Sequence, residues 1–442
     1  MYGRIGFGYG FGFAPGGRQG ALLNPPTNLA LTVISDTQIN LAWIDNAASD
    51  SFVVQRSLDG LTWADIATPA TNSYNNSGLE SYTKYYYRVK SVKGSNESAY
   101  SDAANTTTLF YATLTATDTG VGVSTLRMEV SEDQTLEITS GTARFYTNAA
   151  GTLGESTTWA VTTGALRTIY LKAPSGSSVL NIPKPDKVTK WGNSSTDGWT
   201  SSTNAARISI EVGKLALTEL RIIGTSTLTG ALPTGLTTLY LGGNLINWTY
   251  TGALPVGLTY LRLQGNNINW AYEGALPVGL THLQLYQTTN INWTYEGALP
   301  VGLTYLRLYQ TTNVNWTYEG ALPVRLTTLH LQGDNINWTY EGALPVRLTT
   351  LNLQGNNINW TGLDVSGSSN LTAFILSDFR ISKMSSADMV TFLTNLTNRV
   401  GGLPATVTIN DYADYASPPQ AVTDAVAALK IAKSITTVNL GA

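Results

Sequence analysis

A repeat of 22 or 23 residues between positions 230 and 360 constrains the fold more than any other feature of this sequence. The tetrapeptide G-A-L-P opens six copies, which begin at Gly230, Gly252, Gly274, Gly297, Gly320 and Gly342. The apolar residues that follow keep a fixed spacing, as in Leu258, Leu261, Leu263 and Ile268. One copy of this length cannot bury its apolar face alone, so successive copies are predicted to stack as coils around a continuous core.

Each copy reads L-x-x-L-x-L-x-x-N-x-I, and this order resembles the leucine-rich repeat. The resemblance implies a solenoid over residues 207–380, with one short parallel strand from each coil. It also implies an asparagine ladder that starts at Asn244 and Asn266. Weaker copies flank the clear ones, with apolar residues at Leu217, Leu220 and Ile222 on one side and Leu371, Phe374 and Leu376 on the other.

Three positions of each predicted strand point away from the core and differ between otherwise similar copies, and we call them the variable face. Equivalent residues of successive coils lie about 4.8 Å apart and therefore form columns. The first column reads Thr238, Tyr260, His282, Tyr305, Thr328 and Thr350; the second reads Tyr240, Arg262, Gln284, Arg307, His330 and Asn352; the third reads Gly242, Gln264, Tyr286, Tyr309, Gln332 and Gln354. No carboxylate occurs in these columns.

The central copies supply the candidate binding residues, which are Tyr260, Arg262, His282, Gln284, Tyr286, Tyr305, Arg307 and Tyr309. Tyrosines offer rigid contact area and arginines offer donors, so we expect a concave, solvent-facing recognition surface for a host-surface glycan or protein. The alternative is that these strand positions accept any residue that favours β-structure. Two copies end in Y-Q-T-T-N, at Tyr286 and Tyr309, and their extra residue predicts a local bulge.

A second row of aromatic residues does not vary between copies and comprises Trp248, Trp270, Trp293, Trp316, Trp338 and Trp360. A track for sugar binding is one interpretation of such a row. Because every copy keeps the same residue, we favour aromatic stacking that holds the other side of the coils together.

Residues 24–109 resemble a fibronectin type III domain, which implies a sandwich of two antiparallel sheets. Leu79 is followed by Tyr85, Tyr87 and Val89 in L-E-S-Y-T-K-Y-Y-Y-R-V. The resemblance implies that Tyr85 is the tyrosine-corner residue and that Trp43 lies in the core. We expect this domain to act as a rigid spacer. The sequence has no R-G-D motif, so cell adhesion through that motif is not implied.

The remaining segments are predicted from strand and helix patterns alone. Residues 110–206 contain short alternating runs and predict a second small β domain that covers the first coil. Its tryptophans are interpreted as core residues or as the lining of a sugar site, and they are Trp159, Trp191 and Trp199. Residues 381–442 predict an α/β terminal cap, with a capping box at Ser385 and a second helix over 422–433. The fold class is therefore multidomain and mainly β.

Residues 1–20 alternate glycine with large side chains, at Ile5, Phe7, Tyr9, Phe11 and Phe13. In an extended chain these five side chains project from one face. One interpretation is a low-complexity linker. The other is an anchor that becomes ordered against partner proteins of a virion.

Composition and charge narrow the function further. Charged residues make up only 12% of the 442 residues, about half the usual share, and the net charge is −3. This balance argues against nucleic acid as a partner. The sequence has no cysteine, no apolar run that predicts membrane insertion and no ordinary secretion signal. Repeated N-W-T sequons on adjacent coils argue against a eukaryotic secretory origin, because glycans there would collide.

The sequence favours a non-enzymatic protein without cofactor or metal. Its two histidines, His282 and His330, lie in different copies, and the carboxylates most suited to a glycosidase are Glu129, Glu132, Asp133 and Glu137. The combination of modules resembles tail-fibre and other virion appendage proteins of Bacteroidetes phages, which implies a location on the virion exterior. The alternatives are a bacterial surface adhesin and a carbohydrate-active enzyme with accessory modules. Whether the chain forms a homo-oligomer is left open.

Overall fold

Runs of alternating apolar and polar residues form β-strands along most of the chain in the computed structural model. The structure describes residues 23–115, 123–147, 153–164, 167–172, 177–192, 207–223, 226–243, 246–265, 268–272, 274–286, 291–296, 298–309, 314–318, 321–333, 336–339, 342–354, 358–359, 370–371, 373–377, 386–398, 406–409, 417–433 and 437–440. The predicted anchor residues Ile5, Phe7, Tyr9, Phe11 and Phe13 lie outside this set, as do Asn244, Asn266, Trp199 and Ser385. Two compact units divide the chain, Met1–Phe110 and Tyr111–Ala442.

The first unit contains two antiparallel sheets. Its strands are β1 (Thr27–Val33), β2 (Gln38–Ile44), β3 (Ser51–Ser57), β4 (Ala64–Ala67), β5 (Ser73–Ser77), β6 (Lys84–Lys93), β7 (Asn96–Glu97) and β8 (Ala104–Thr107). One sheet has the order β1-β2-β5; the other has the order β4-β3-β6-β7, with β8 also paired to β6. This is the two-sheet arrangement that the resemblance in sequence implied.

The core of the first unit confirms the expected roles of its aromatic residues. Trp43 is 3% exposed and meets the edge of the Phe52 ring, with centroids 5.2 Å apart. The Tyr85 hydroxyl accepts a hydrogen bond of 3.0 Å from the backbone N–H of Glu80. This bond links the start of β6 to the preceding loop, as in the tyrosine corner of related sandwiches.

The second unit begins with antiparallel strands. They are β9 (Tyr111–Thr115), β10 (Val123–Val130), β11 (Gln134–Ser140), β12 (Arg144–Tyr146), β13 (Thr158–Val161), β14 (Arg167–Lys172), β15 (Ser177–Asn181) and β16 (Val188–Gly192). These strands are hydrogen-bonded into the same two sheets as the repeats. The described strands between residues 111 and 192 therefore extend the two sheets of the solenoid, and the second small β domain expected from the sequence is continuous with the repeats.

The repeats form two columns of parallel strands. The strands are β17 (Arg207–Glu211), β18 (Glu219–Ile223), β19 (Ser226–Thr229), β20 (Thr238–Gly242), β21 (Ile246–Tyr250), β22 (Tyr260–Gln264), β23 (Ile268–Tyr272), β24 (His282–Tyr286), β25 (Ile291–Glu296), β26 (Tyr305–Tyr309), β27 (Val314–Tyr318), β28 (Thr328–Gln332), β29 (Ile336–Thr339), β30 (Thr350–Gln354), β31 (Ile358–Asn359) and β32 (Ala373–Ser377). The expectation of one strand per coil is wrong, because the I-N-W-T-Y segment of each coil forms a second strand. Two sheets result, which we call the first sheet, with 14 described strands, and the second sheet, with 12.

The second sheet does not align the tryptophans side by side. Its register pairs Trp248 with Ile268 and Tyr250 with Trp270, so each coil is displaced by two residues relative to its equivalent positions. The same displacement recurs along the array. Trp248 is 1% exposed and stacks on Tyr250 at 4.8 Å, which makes it a core residue. In the strand register, a tryptophan of one coil is therefore paired with an isoleucine or valine of the next coil, and a tyrosine is paired with the next tryptophan.

A ladder of threonines, not anticipated from the sequence, joins the coils at the start of the first-sheet strands. The hydroxyl of Thr259 donates to the carbonyl oxygen of Thr237 at 3.1 Å, and the Thr281 hydroxyl donates to that of Thr259 at 3.0 Å. The backbone N–H of each threonine donates to the same carbonyl oxygen, at 2.8 Å in both cases. Equivalent bonds continue through Thr304, Thr327 and Thr349. The ladder occupies a position at which every clear copy has threonine.

Two helices and two strands end the described chain. They are α1 (Ser386–Asn398), β33 (Thr406–Ile409), α2 (Gln420–Lys433) and β34 (Thr437–Leu440). The strands continue the first sheet in parallel after β32, and α1 buries Met389, Phe392, Leu393 and Leu396. None of the described helices is long and apolar enough to cross a membrane.

Candidate functional site

The variable face is the outward side of the first sheet. In β20, β22, β24, β26, β28 and β30 the alternate leucines point into the core, which leaves the first, third and fifth residues of each strand on the opposite side. The strand register pairs Tyr260 with His282, and His282 with Tyr305. It aligns all three predicted columns residue by residue from Thr238 to Gln354.

The first column is held together by stacked rings. The His282 ring lies between those of Tyr260 and Tyr305, with centroid distances of 4.3 and 4.2 Å and interplanar angles of 11° and 8°. Each of these side chains is half-buried. The two faces of His282 are therefore covered by its neighbours, and the column presents ring edges and tyrosine hydroxyls instead of open ring faces.

The second and third columns interlock around Arg307. The rings of Tyr286 and Tyr309 are stacked at 4.8 Å, and the Arg307 guanidinium carbon lies 5.0 Å and 4.9 Å from their centroids. The buried Nε of Arg307 has no hydrogen-bond partner among the described residues. His330 packs against the edge of Tyr309 at 5.2 Å. Arg307 is thus oriented by aromatic contacts.

Arg262 is oriented in a similar way two coils closer to the N-terminus. Its guanidinium carbon lies 4.5 Å from the centroid of the Tyr240 ring, and its Nη2 donates a hydrogen bond of 3.1 Å to Gln264 Oε1. Arg221 lies 5.5 Å from the ring of Tyr260 and contacts Glu219 at 2.6 Å.

The second column is less open than the sequence predicted. Tyr240 is 2% exposed, Gln284 is 4% exposed and Asn352 is 8% exposed, so these residues do not face solvent freely. They occupy the middle column, where side chains from both outer columns flank them. Gln284 is consequently buried beneath the site, whereas the other seven predicted residues are half-buried at its surface.

The three columns of the variable face contain no carboxylate, although the whole chain has a net charge of −3. Burial and, to a smaller extent, the positive charge of Arg307 together lower the pKa of His330 to about 4, although the hydrogen bond to Gln332 acts in the opposite direction. His330 is therefore neutral near pH 7. Two carboxylates on other strands of the first sheet are in ion pairs, Glu219 with Arg221 and Glu129 with Lys190.

Three residues belong to the array although they were not among the eight predicted. Tyr240 and His330 occupy the columns, and Arg221 occupies the equivalent position of the weak copy, since it pairs with Tyr240. The signal that could have found Arg221 is its position between Leu220 and Ile222, which repeats the alternation of the clear copies.

The other sequence candidates do not come together as a site. Glu132 is in an ion pair with Lys184, Asp133 accepts a hydrogen bond from the backbone N–H of Thr163, and Glu137 is exposed. Trp191 is 2% exposed and belongs to the core, while Trp159 packs on Phe145 at 6.1 Å. Within the described ranges, no three metal-binding side chains of the histidine, cysteine or carboxylate type form a group.

The fold defines a modular, mainly β protein that combines a two-sheet sandwich with a solenoid of parallel strands. Residues 24–107 match the family model of the fibronectin type III domain, and this segment is such a domain. An α-amylase from Niallia circulans is 39% identical over 84 residues, which are 19% of this chain and 6% of that protein. This chain therefore spans only a small part of that curated relative.

Two solved structures are similar over a comparable share of the chain. A Fn3-like protein from Clostridium thermocellum is 31% identical, with 19% of this chain and 92% of that chain covered and a TM-score of 0.19. The fibronectin type III domain of human fibronectin type III domain containing protein 3 is 22% identical, with 21% and 92% covered and a TM-score of 0.19.

Proposed function

We propose that this chain is a non-enzymatic structural and adhesion protein of a phage virion exterior, in a tail fibre or another appendage. Its variable face binds a glycan or protein of the host surface. The fibronectin type III domain acts as a spacer, and the solenoid is of the leucine-rich repeat type. Residues 1–20 attach the chain to other virion proteins.

One observation carries the binding role. The positions that differ between copies join into a single continuous array across consecutive strands, with His282 stacked between two tyrosines and Arg307 packed on two more. Each side chain is held by its neighbours before any ligand arrives, which lowers the entropy cost of binding. If these positions merely accepted any residue that favours β-structure, such stacked and interlocked side chains would not be expected.

The end of the solenoid that follows β32 has the arrangement expected of a terminal cap. A solenoid exposes the apolar edge of its last coil unless another element covers it. After β32 the chain adds β33 and β34 to the first sheet, and α1 buries one apolar side. We assign the α/β capping role to residues 381–442 on this basis.

Cell binding tests the role of the variable face. The variant Tyr260→Ala/Tyr305→Ala/Arg307→Ala should lose binding of the labelled protein to host cells without unfolding the protein. The matched control is Val256→Ala/Val278→Ala/Val301→Ala, because these valines are 86%, 85% and 81% exposed on turns of the same coils. Full retention of binding by the first variant would reject this face.

A bacterial surface adhesin would use the same face, so location separates the two functions. Mass spectrometry of purified phage particles should detect this chain, and its presence only in bacterial envelopes would support the adhesin. Deletion of residues 2–20 should then prevent incorporation into particles. Unchanged incorporation would rule out the anchor.

A carbohydrate-active enzyme is the third candidate. The similarity to an α-amylase covers only 84 residues, a length equal to that of the fibronectin type III match. The carboxylates singled out in the sequence are distributed over surface ion pairs and exposed positions. Release of reducing sugars from host glycans by the purified chain would support the enzyme against the binding protein.

A further inference from the structure

We propose that the fibronectin type III domain carries a second interaction surface, which binds an extended acidic segment of a partner protein. The surface is the outward side of the sheet that contains β6, and we call it the β6 face. Its residues are Lys84, Tyr86, Arg88 and Lys90 on β6, flanked by Trp63 and Tyr100. This inference goes beyond the proposed function, in which the domain is a spacer, and does not depend on the variable face.

Alternation along β6 separates the β6 face from the core of the domain. Tyr85 and Tyr87 are 5% and 0% exposed and belong to the core. Lys84, Tyr86 and Arg88 occupy the alternate positions, so their side chains point to the other side of the sheet, where they are exposed or half-buried. The polar side of the strand is therefore open to a partner.

Two aromatic rings flank the guanidinium of Arg88. Its central carbon lies 4.3 Å from the centroid of the Trp63 ring and 4.2 Å from that of the Tyr100 ring. Trp63 precedes β4, which lies beyond β3 on one side of β6, while Tyr100 follows β7, which lies on the other side. Arg88 is therefore held between the two rings, which restrict its rotamers before any ligand binds.

The hydrogen bonds of Arg88 leave its terminal nitrogens available. Its Nε donates to Gln55 Oε1 at 2.7 Å, and Gln55 Nε2 donates to Asp65 Oδ1 at 2.8 Å. A neutral amide therefore lies between Arg88 and Asp65. Residues 23–115 are described without a gap, and within the described chain Arg88 forms no ion pair. The N–H groups of Nη1 and Nη2 suit bidentate recognition of a carboxylate.

The β6 face is basic although the domain is acidic. Residues 24–107 contain five basic and eight acidic residues, so their net charge is −3. Three of the five basic residues, Lys84, Arg88 and Lys90, lie on this face. Lys90 is in an ion pair with Glu97, whereas Lys84 and Arg88 have no carboxylate partner among the residues that the structure describes. These two cations favour an anionic partner.

The spacing of the two cations matches an extended polypeptide. Lys84 and Arg88 are four residues apart on one strand, which is about 13 Å at the rise of a β-strand. An extended partner segment has the same rise, so acidic side chains four residues apart project from one of its faces at the same separation. Tyr86 lies between the two cations, and Lys84 Nζ is 5.0 Å from the centroid of its ring. Because the rings contact cations, they favour acidic side chains over the stacking of sugar rings.

Peptide titrations of the full chain test the inference. The matched probe is a short glycine and serine peptide with two glutamates four residues apart, which lie on one face when the peptide is extended. The register control has its glutamates three residues apart, on opposite faces, and the charge control has glutamines at the matched positions. Binding is measured at low ionic strength from the NMR shifts of the backbone amides of β6.

Two charge variants separate the β6 face from the charge of the domain. The site variant is Lys84→Gln/Arg88→Gln. The matched control is Arg56→Gln/Lys93→Gln, which changes the other two basic residues of the domain, at alternate positions of β3 and β6 that are not on this face. Both variants take the net charge of the chain from −3 to −5, since each removes two positive charges.

The wild-type chain and the matched control should bind the matched peptide, and the glutamine peptide should bind about tenfold more weakly or worse. The register control should also bind more weakly than the matched peptide. The site variant should lose binding by about tenfold and retain the amide spectrum of a folded domain. Trp63→Leu/Tyr100→Leu keeps every charge but removes the rings that hold Arg88, so it should weaken binding by about fivefold.

Several results would overturn the inference. They are equal binding of the glutamate and glutamine peptides, equal binding of the two glutamate spacings, equal loss in both charge variants, and the absence of any shift in β6 with every peptide. Tighter binding of an oligogalacturonate or of a short single-stranded DNA than of the matched peptide would replace the acidic protein segment by an acidic sugar or a nucleic acid. All these variants leave the variable face unchanged, so failure here is distinct from failure of the proposed cell binding.

Discussion

The ring of His282 lies parallel to that of Tyr305, with 4.2 Å between their centroids and 8° between their planes. The two residues are 23 positions apart in the sequence and meet because β24 and β26 are paired strands. Tyr260 covers the other face of the same histidine at 4.3 Å. The surface chemistry of the array therefore depends on the strand register as much as on residue type.

A double-mutant cycle should detect this contact. Replacing His282 and Tyr305 by leucine, singly and together, keeps apolar bulk but removes the stacking, and the coupling free energy of unfolding should be about 1 kcal/mol. The control cycle pairs Tyr305→Leu with Thr350→Ala, two coils away, and should be additive. Equal additivity of both cycles would show that the stack contributes no stability.

His330 should make the stability of the solenoid depend on pH. Its pKa is lowered from 6.5 to about 4, so the unfolded chain binds a proton between these values while the folded chain does not. Stability should therefore be fully present above pH 6.5 and should fall as the pH drops towards 4. The contribution of His330 is measured as the unfolding free energy of the wild type minus that of the His330→Gln variant, at each pH. An NMR titration of His330 with a midpoint near 6.5 would contradict it.

Arg307 lowers the pKa of His330, and its removal provides the matched test. Arg307→Gln should move the midpoint of His330 upwards, because a neighbouring positive charge disfavours the imidazolium. Arg347→Gln, an exposed turn residue of the same array, should leave the midpoint unchanged.

The threonine ladder should be measurable as a set of hydrogen bonds between coils. Thr259, Thr281 and Thr304 each donate a hydroxyl to the preceding carbonyl oxygen, at 3.1, 3.0 and 2.9 Å. Changing all three to valine keeps the shape and removes the donors, so unfolding free energy should fall by about 2 kcal/mol. The matching serine variants retain the hydroxyls and should lose clearly less. Equal losses would show that the bonds are not the cause.

Gly192 marks the place where the first sheet changes from antiparallel to parallel pairing. It pairs with Arg127 on one side and with Arg221 on the other, and a Cβ at Gly192 would lie 2.0 Å from the carbonyl oxygen of Arg221. Gly192→Ala should destabilise the second unit by about 2 kcal/mol in thermal unfolding. Gly257→Ala, which meets nothing within 4 Å, is the control. If Gly192→Ala leaves the stability of the second unit unchanged, the two strands can move apart at this position.

Much of the variable face could be predicted from the spacing of leucines. Alternation within a strand determines which residues point away from the core, and a constant repeat length aligns equivalent residues between coils. The columns through Tyr260, Tyr286 and Arg307 were predicted in this way, and the register confirms them. The burial of Gln284 was not predicted, because it depends on how neighbouring side chains pack over the middle column.

The sequence by itself determined the number of coils, the inward positions of the leucines and the character of residues 24–107, since these depend on periodic patterns within short segments. Tertiary structure alone decided the second strand of each coil, the two-residue displacement that pairs Trp248 with Ile268, and the addition of residues 111–192 to both sheets. Pairing between remote segments depends on hydrogen bonds and packing summed over the whole array, which no single repeat encodes.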